Sequence, residues 1–379
     1  MVACRSVPFG ERGGRLRGGL DLLAGRYPRF VFGGSVGRIL PVFHFHDETR
    51  ADLEPKLQYL ATNGYRTVNA DDIARFVGGG SLPDRAVALC FDDAWTSVWR
   101  MAAPLLLQYG FQAILYVIPG RTEDADVCRP RVETDTEGSP FATWPELKAI
   151  AAEGSFDIQS HTYSHAQVST TATPTGFVEP GYDQSSYLGR PLVDEAQTAA
   201  PATSTRTRPV FATPADLGAP LYDTRSRMSD APRVWHDPSV REACLDLVRR
   251  EGGAALFSRP DWRAQLDALV SATTHATRTE SAQVQQQRIE DELAVSQAVL
   301  NERLNTTTVK HVCLPWGVSG PQTASALSRL GIVTAVANRM EGVFAVRPGD
   351  HPHWLKRLPN RYIYALPGAG RRSFFSLLR

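Results

Sequence analysis

The sequence predicts an α/β fold of parallel β/α units, closed as a barrel or open as a sheet. Two apolar runs carry this reading. Val87 to Phe91 and the segment FQAILYVIPG at 111–120 are nearly continuous in apolar residues, the pattern of strands covered on both faces. Between them SVWRMAAPLLLQYG at 97–110 is long enough for a helix, and strand, helix, strand at these lengths is a parallel arrangement.

The other elements follow in order. Residues 1–35 are rich in glycine and arginine and read as an irregular basic arm. Ile39 to His46 reads as a short buried strand with polar residues at its end. Leu53, Leu57 and Leu60 recur at helical spacing, and Asn63-Gly64 stops that helix before a strand at Tyr65 to Val68. Asn69 or Asp71 caps a further short helix. ATWPELKAIAAEG at 142–154 is a helix with Pro145 in its first turn, and SFDIQSHTYSH at 155–165 a strand end.

From Ala166 to Pro214 the composition shifts to Thr, Ala, Pro, Ser and Gly, with tyrosines at 182 and 187. This reads as a long loop or partly ordered insertion. Helices are expected at 237–257, 261–270 and about 279–304, the last with an apolar stripe of Ile289, Leu293, Val299 and Leu300. Val309 to Leu314 reads as a strand, 319–322 as a helix start and Gly331 to Ala337 as a final strand. The expected division is 1–35 basic arm, 36–166 first part of the main domain, 167–284 insertion, and 285–379 its remainder with a C-terminal tail.

Composition bounds the class. In 379 residues, 42% apolar content suffices for a large core, and 41 basic against 40 acidic residues give a net charge of +1. That balance argues against a nucleic-acid partner. Five scattered cysteines, at 4, 90, 128, 244 and 313, suit a reducing compartment. The sequence begins without an apolar signal core and has no stretch long enough to span a bilayer, so the expected location is cytoplasmic. Arginines 12, 15, 17, 26 and 29 read as a solvated arm, with peripheral membrane contact as the alternative. The tail residues Phe374, Phe375, Leu377 and Leu378, with Arg371, Arg372 and Arg379, read as packing of a last turn or as a lipid-facing end. No oligomeric state is implied.

Three polar clusters lie at strand ends. Adjacent Asp92 and Asp93 would repel each other if buried without a cation or proton. His161 and His165 are four apart, a spacing that on a helical turn shares one metal ion. With a carboxylate from another strand they complete a ligand set that leaves positions open for water and substrate. Pro315-Trp316-Gly317 can build a groove wall and present a backbone N–H. Each cluster alone is equally an ordinary strand end, turn or packed loop.

The order CFDDAW, H-T-Y-S-H, then a strand ending in PWG resembles the polysaccharide deacetylase family, also called the NodB-homology or carbohydrate esterase family 4 domain. The third motif departs from the common R-x-P-Y and resembles a branch with C-x-P-[YW]-G. The resemblance covers roughly 39–166 and 285–360. It implies a distorted (β/α) barrel of NodB-homology type, with a long insertion between the second and third motifs. It implies one divalent metal, zinc or else cobalt or nickel, held by Asp93, His161 and His165. Asp92 would be the general base and the Trp316 backbone N–H an oxyanion donor, with Pro315, Gly317 and Arg357 at the substrate. Arg357 would also pair with Asp92 to keep it ionised.

The family's L-x-H motif is absent. His46, supported by Asp47, is the first candidate for the general acid, His44 is a weaker one that would instead orient the ligands, and His351 and His353 are rivals. Phe43, Phe45, Trp95 and Trp99 are candidate sugar platforms, with Trp99 better read as core. The implied activity is removal of an N-acetyl group from a sugar, on a nucleotide-linked, lipid-linked or small-glycoside intermediate. The alternatives are a deformylase or O-acetyl esterase on a similar substrate, or a non-catalytic carbohydrate-binding protein.

Overall fold

The computed structural model describes residues 23, 25, 27–134, 138–182, 188–194, 209–273, 277–337 and 345–377. Cys4, arginines 12, 15, 17 and 26, Tyr187, Leu378 and Arg379 lie outside these. The chain divides into two compact units, one of His165–Ile289 with Gly320–Thr323 and the other holding the sheet.

The sheet is a curled, distorted parallel half-barrel with long insertions between its strands, the α/β class expected. Its strands are β1 (Val42–Phe45), β2 (Arg66–Thr67), β3 (Ala86–Asp93), β4 (Ala113–Val117), β5 (Phe156–Ser160), β6 (His311–Cys313), β7 (Thr334–Val336) and β8 (Leu358–Pro359). They run in the order β7-β6-β5-β4-β3-β1-β8, with β2 beside the start of β3, and every pairing is parallel. The segment leading into β8 bridges the two edges. Leu355 pairs with Val336 of β7, and three residues later Leu358 pairs with Phe43 of β1.

Both faces of the strands are buried, which is why the sequence shows unbroken apolar runs. Val42, Ala88, Cys90, Ile114, Tyr116 and Cys313 share one cluster on the inner face. Phe43, Phe45, Leu89, Phe91, Leu115 and Val117 point the other way into a cluster with the helices. These helices are α1 (Arg50–Thr62), α3 (Ala103–Tyr109) and α4 (Trp144–Glu153), whereas α2 (Ala70–Val77) adds Ile73, Phe76 and Val77 to the inner cluster. Fully burying a side chain of this size contributes about 1.5–3 kcal/mol. The period-two alternation therefore puts Phe43 and Phe45, both fully buried with Phe45 stacked on Phe91 at 4.7 Å, on the helix side. That corrects their reading as sugar platforms.

Local signals account for the helix ends. Thr49 accepts from the Asp52 N–H at the start of α1. Asn69, rather than Asp71, caps α2 in a reciprocal box with Asp72. Gly64 turns the chain after α1 at φ 68°, which favours glycine. The helix expected at 97–110 opens with a π-type turn, Val98–Ala102, before α3.

The insertion unit has its own small core. Helices α5 (Pro238–Arg250) and α6 (Trp262–Ala272) pack Val240, Cys244, Val248, Leu266 and Val270 against Phe177 and Leu256. Short antiparallel pairs join 167–169 to 224–226, 176–177 to 220–221, 192–194 to 210–211 and 234–235 to 278–279. The segment read as loop thus carries short strands. Gly218, at φ 89°, lies so close to Val248 that a Cβ there would sit 2.4 Å from its Cγ2. After the insertion the chain returns along α7 (Ala282–Leu304), and α8 (Pro321–Arg329) follows β6.

One buried ion pair ties the loop before α4 to that helix. Glu146, fully buried, accepts from Arg129 Nε at 2.8 Å, from its Nη2 at 2.7 Å, and from the N–H groups of Arg129 and Thr143. Arg129 also donates to the carbonyls of Ser139 and Phe141. Glu146→Ala would leave that guanidinium without its carboxylate, and is expected to destabilise the protein by about 3–5 kcal/mol. The urea midpoint measures this, with a conservative surface variant as control.

Candidate metal centre

The site forms where strands end. By alternation along β3, Cys90 and Asp92 face inward while Phe91 faces the helices, so Asp93 would be expected to turn outward. It does not continue the strand conformation: Asp93 takes φ 71° and Ala94 φ 58°. These left-handed residues re-aim the Asp93 carboxylate, which lies 3.3 Å from His161 Nε2 through Oδ1. Trp95 Nε1 donates to its Oδ2 at 3.0 Å and fixes its rotation.

His161 and His165 follow β5, but not on a helical turn. The box is a loop with Thr162 at φ 63° and His165 at φ 56°, which corrects the helical reason given for the four-residue spacing. Five of the eight described non-glycine residues with positive φ are Asp93, Ala94, Thr162, His165 and Trp316. Each such conformation costs on the order of 1–3 kcal/mol, so the surrounding bonds must hold it. His161 N–H donates to Val117 O at 2.8 Å, Gly120 N–H to Tyr163 O at 2.8 Å and Arg121 Nε to Ser164 O at 3.1 Å. Glu292 on α7 takes the Ser164 N–H at 2.8 Å and the Ser164 hydroxyl, while its own carbonyl takes the Tyr163 N–H.

Asp93, His161 and His165, all buried, bring one ligand atom each to within 4.8 Å of one another. The donor set fits a divalent cation. His161 Nδ1 lies 2.7 Å from Cys313 O; a carbonyl only accepts, so Nδ1 carries a proton, and Nε2, facing Asp93, is the nitrogen that would meet a cation. Burial opposes a charge on His161, yet Cys313, Asp93 and Asp92 outweigh it and hold its pKa well above the ordinary imidazole range in the metal-free protein. Asp92, His161 and Cys313 form a second grouping of suitable atoms. It fits a cation less well, because both Asp92 oxygens are already taken.

They are taken by Arg357. Its Nη1 donates to Asp92 Oδ1 at 2.6 Å and its Nη2 to Oδ2 at 2.7 Å, with both side chains buried. Burial alone would raise the Asp92 pKa, but the Arg357 charge and its two hydrogen bonds hold it far below the usual carboxylate range. Cys313 Sγ sits 3.8 Å from Asp92 Oδ2.

Among the acid candidates, His46 stands at the exit of β1, half exposed, with Nε2 3.6 Å from Asp92 Oδ2. His44 shares its face, ring centroids 5.5 Å apart. Burial and the Arg357 charge push its pKa down to about 3, so the ring is neutral. The rivals are placed elsewhere. His353 Nε2 bonds Ile332 O at 2.7 Å, and the Pro352 carbonyl accepts from Ala335 N–H in β7. His351, exposed, gives its Nδ1 to the His353 N–H. Both histidines lie by the start of β7, at the end of the sheet away from Asp92, which corrects their reading as acids.

Trp316 sits at φ 53° in the turn Pro315–Gly317 that follows β6. Trp99 is core, its Nε1 donating to Arg129 O at 2.8 Å. Trp95 lines a cavity of about 410 Å³ beside the ends of β1 and β3, with Asp47, Thr96, Ser97, Arg100 and Glu133 among its walls. Sequence reasoning missed the Trp95 bond to Asp93, the Cys313 carbonyl behind His161 and Glu292 behind the histidine loop. The first two were adjacent to recognised motifs; Glu292 had no signal beyond a polar position on an amphipathic helix.

The E. coli (strain K12) protein poly-beta-1,6-N-acetyl-D-glucosamine N-deacetylase is 28% identical over 139 residues, 36% of this chain and 20% of that protein. The chain thus spans about a fifth of that relative's length. A solved de-N-acetylase from Aggregatibacter actinomycetemcomitans superposes with TM-score 0.49 at 16% identity, over 84% of this chain and 94% of that one. IcaB from Ammonifex degensii gives 0.45 at 18%, over 85% and 92%. Over residues 79–210, which hold Asp92, Asp93, His161 and His165, the chain matches the family model of polysaccharide deacetylases.

Proposed function

We propose that the protein is a metal-dependent carbohydrate N-deacetylase, hydrolysing the acetamide of an N-acetylated sugar. The observation that carries this is the pairing of a two-histidine, one-carboxylate cluster with a second, guanidinium-clamped carboxylate beside it. A divalent cation, zinc by its match to this donor set, would be held by Asp93, His161 and His165. When bound it supplies Lewis acidity at the acyl carbonyl.

The chain's own groups do the rest. Asp92, kept ionised by Arg357, takes the proton of the attacking water. Because both its oxygens accept from Arg357, its orientation is set before substrate arrives. His46, close enough to Asp92 for the two to share a proton through a short rearrangement, returns a proton to the leaving nitrogen. A backbone N–H at Trp316 donates to the developing oxyanion. The cavity walled by Trp95 offers an aromatic face and several hydroxyls to a sugar ring.

Nucleotide-linked, lipid-linked and small glycosides of N-acetylhexosamine are the substrates proposed, in a cytoplasmic setting supported by the unbridged Cys90, Cys128, Cys244 and Cys313. β-1,6-linked N-acetylglucosamine oligomers, after the relative's name, belong in the same screen. Release of free amine from this panel by the metal-loaded protein tests the activity; no release from any member, with metal bound, would refute it.

Asp93→Asn is expected to remove both stoichiometric metal and activity, read by elemental analysis and amine release. Asp92→Asn is expected to retain metal and lower kcat/KM by about 10²–10⁴-fold, the usual contribution of a general base. Full turnover in Asp92→Asn would overturn the base assignment.

Arg357→Met tests the clamp. Removing the cation disfavours the charged carboxylate, so the Asp92 pKa rises toward the ordinary range. The acidic limb of the kcat/KM profile is expected to move to higher pH, with metal content unchanged. An unmoved limb would show that Arg357 does not set the ionisation of the base.

A further inference from the structure

The net charge of +1 conceals an asymmetry. Residues 1–38 carry arginines 5, 12, 15, 17, 26, 29 and 38 against Glu11 and Asp21, and residues 366–379 carry Arg371, Arg372 and Arg379 with no acid. These two segments hold net charges of +5 and +3, leaving −7 on the rest of the chain.

The fold brings their described parts together. The Phe374 ring packs against Tyr27 and Phe32, with centroids at 6.2 and 4.8 Å. Arg371 donates to the carbonyls of Phe30, Gly33, Gly34 and Ala365 at 2.5 to 2.9 Å. All four acceptors are neutral, so the clasp leaves its positive charge uncancelled. Arg29, Arg38 and Arg372 are exposed, and Arg372 lies over the Tyr364 ring at 4.1 Å. Large apolar side chains are exposed in the same segments: Phe375 is 78% exposed, Phe32 48% and Leu23 86%.

Charge and apolar exposure together select the partner. A nucleic-acid duplex would satisfy the arginines and leave the aromatic rings in water. An anionic bilayer takes both, guanidinium groups at the headgroups and rings at the acyl boundary. We propose that segments 27–38 and 366–377, with Leu23, form a docking surface for an anionic lipid bilayer.

The surface has a defined place in the sheet-bearing unit. Tyr65 OH donates to Pro367 O at 2.9 Å, and Asn63 Oδ1 accepts from Ala369 N–H at 2.6 Å. Both residues immediately precede β2, so 367–369 lie by the strand starts, whereas Asp92 and Asp93 end β3. A protein docked this way would hold those carboxylates away from the lipid surface.

Co-sedimentation of the full chain with vesicles tests this without reference to deacetylation. Vesicles of phosphatidylcholine with a minority of phosphatidylserine are expected to bind it, pure phosphatidylcholine weakly, and added salt to weaken the former. Arg29→Ala and Arg372→Ala should each reduce affinity about fivefold. Phe375→Ser should reduce it at every salt concentration, with the melting temperature of each variant unchanged. No preference for the anionic vesicles would overturn the proposal. So would binding that survives all three substitutions, or equal affinity for a DNA duplex that Phe375→Ser leaves intact.

Discussion

A buried carboxylate and a buried guanidinium, Asp92 and Arg357, meet through two short hydrogen bonds at the open end of the sheet, and much of the site depends on that meeting. Taking either ion out of water alone would cost several kcal/mol. Together they are stable, and the pair keeps a carboxylate charged where burial would otherwise protonate it. Arg357 lies in the segment that bridges the two sheet edges through Leu355 and Leu358. Closing the curl and setting the charge of the proposed base are therefore one structural event.

Around that pair the backbone departs from regular structure at the strand exits. Alternation alone would put Asp92 inside and Asp93 outside; the left-handed turn at Asp93 and Ala94 lets neighbouring carboxylates meet different partners, Arg357 for the first and His161 for the second. The same device recurs at Thr162, His165 and Trp316. Local strain is held by hydrogen bonds from three directions: Val117 and Gly120 below the histidine loop, Arg121 beside it, and Glu292 from α7.

The parallel α/β class was legible because Val87–Phe91 and 113–117 are apolar on both faces, and the ligand candidates because Asp93 follows such a run and the two histidines follow the strand Phe156–Ser160. The His161–His165 spacing singled out two side chains that do come together with Asp93, but on a helical argument the loop does not follow, since spacing reports a period and not the φ angles of a loop. Phe43 and Phe45 misled because the residues of a doubly buried strand look alike whichever face they take. His351 and His353 were close in sequence to Arg357, yet the chain between them crosses from the start of β7 toward its end. Glu292 could not be read at all, because a buried acid and a solvated one look the same on a polar helix.

The order of synthesis gives the His161 to Cys313 bond a further meaning. Asp93, His161 and His165 all leave the ribosome before the insertion, but what orients them arrives afterwards: Glu292 for the loop, the Cys313 carbonyl for the imidazole tautomer, Arg357 for the adjacent carboxylate. An emerging chain thus carries its ligands long before it can aim them. Such a nascent chain would expose two histidines and two aspartates to any available cation with no built geometry to discriminate among them. The geometry of the candidate ligand set is a property of the finished protein, conferred by its last quarter.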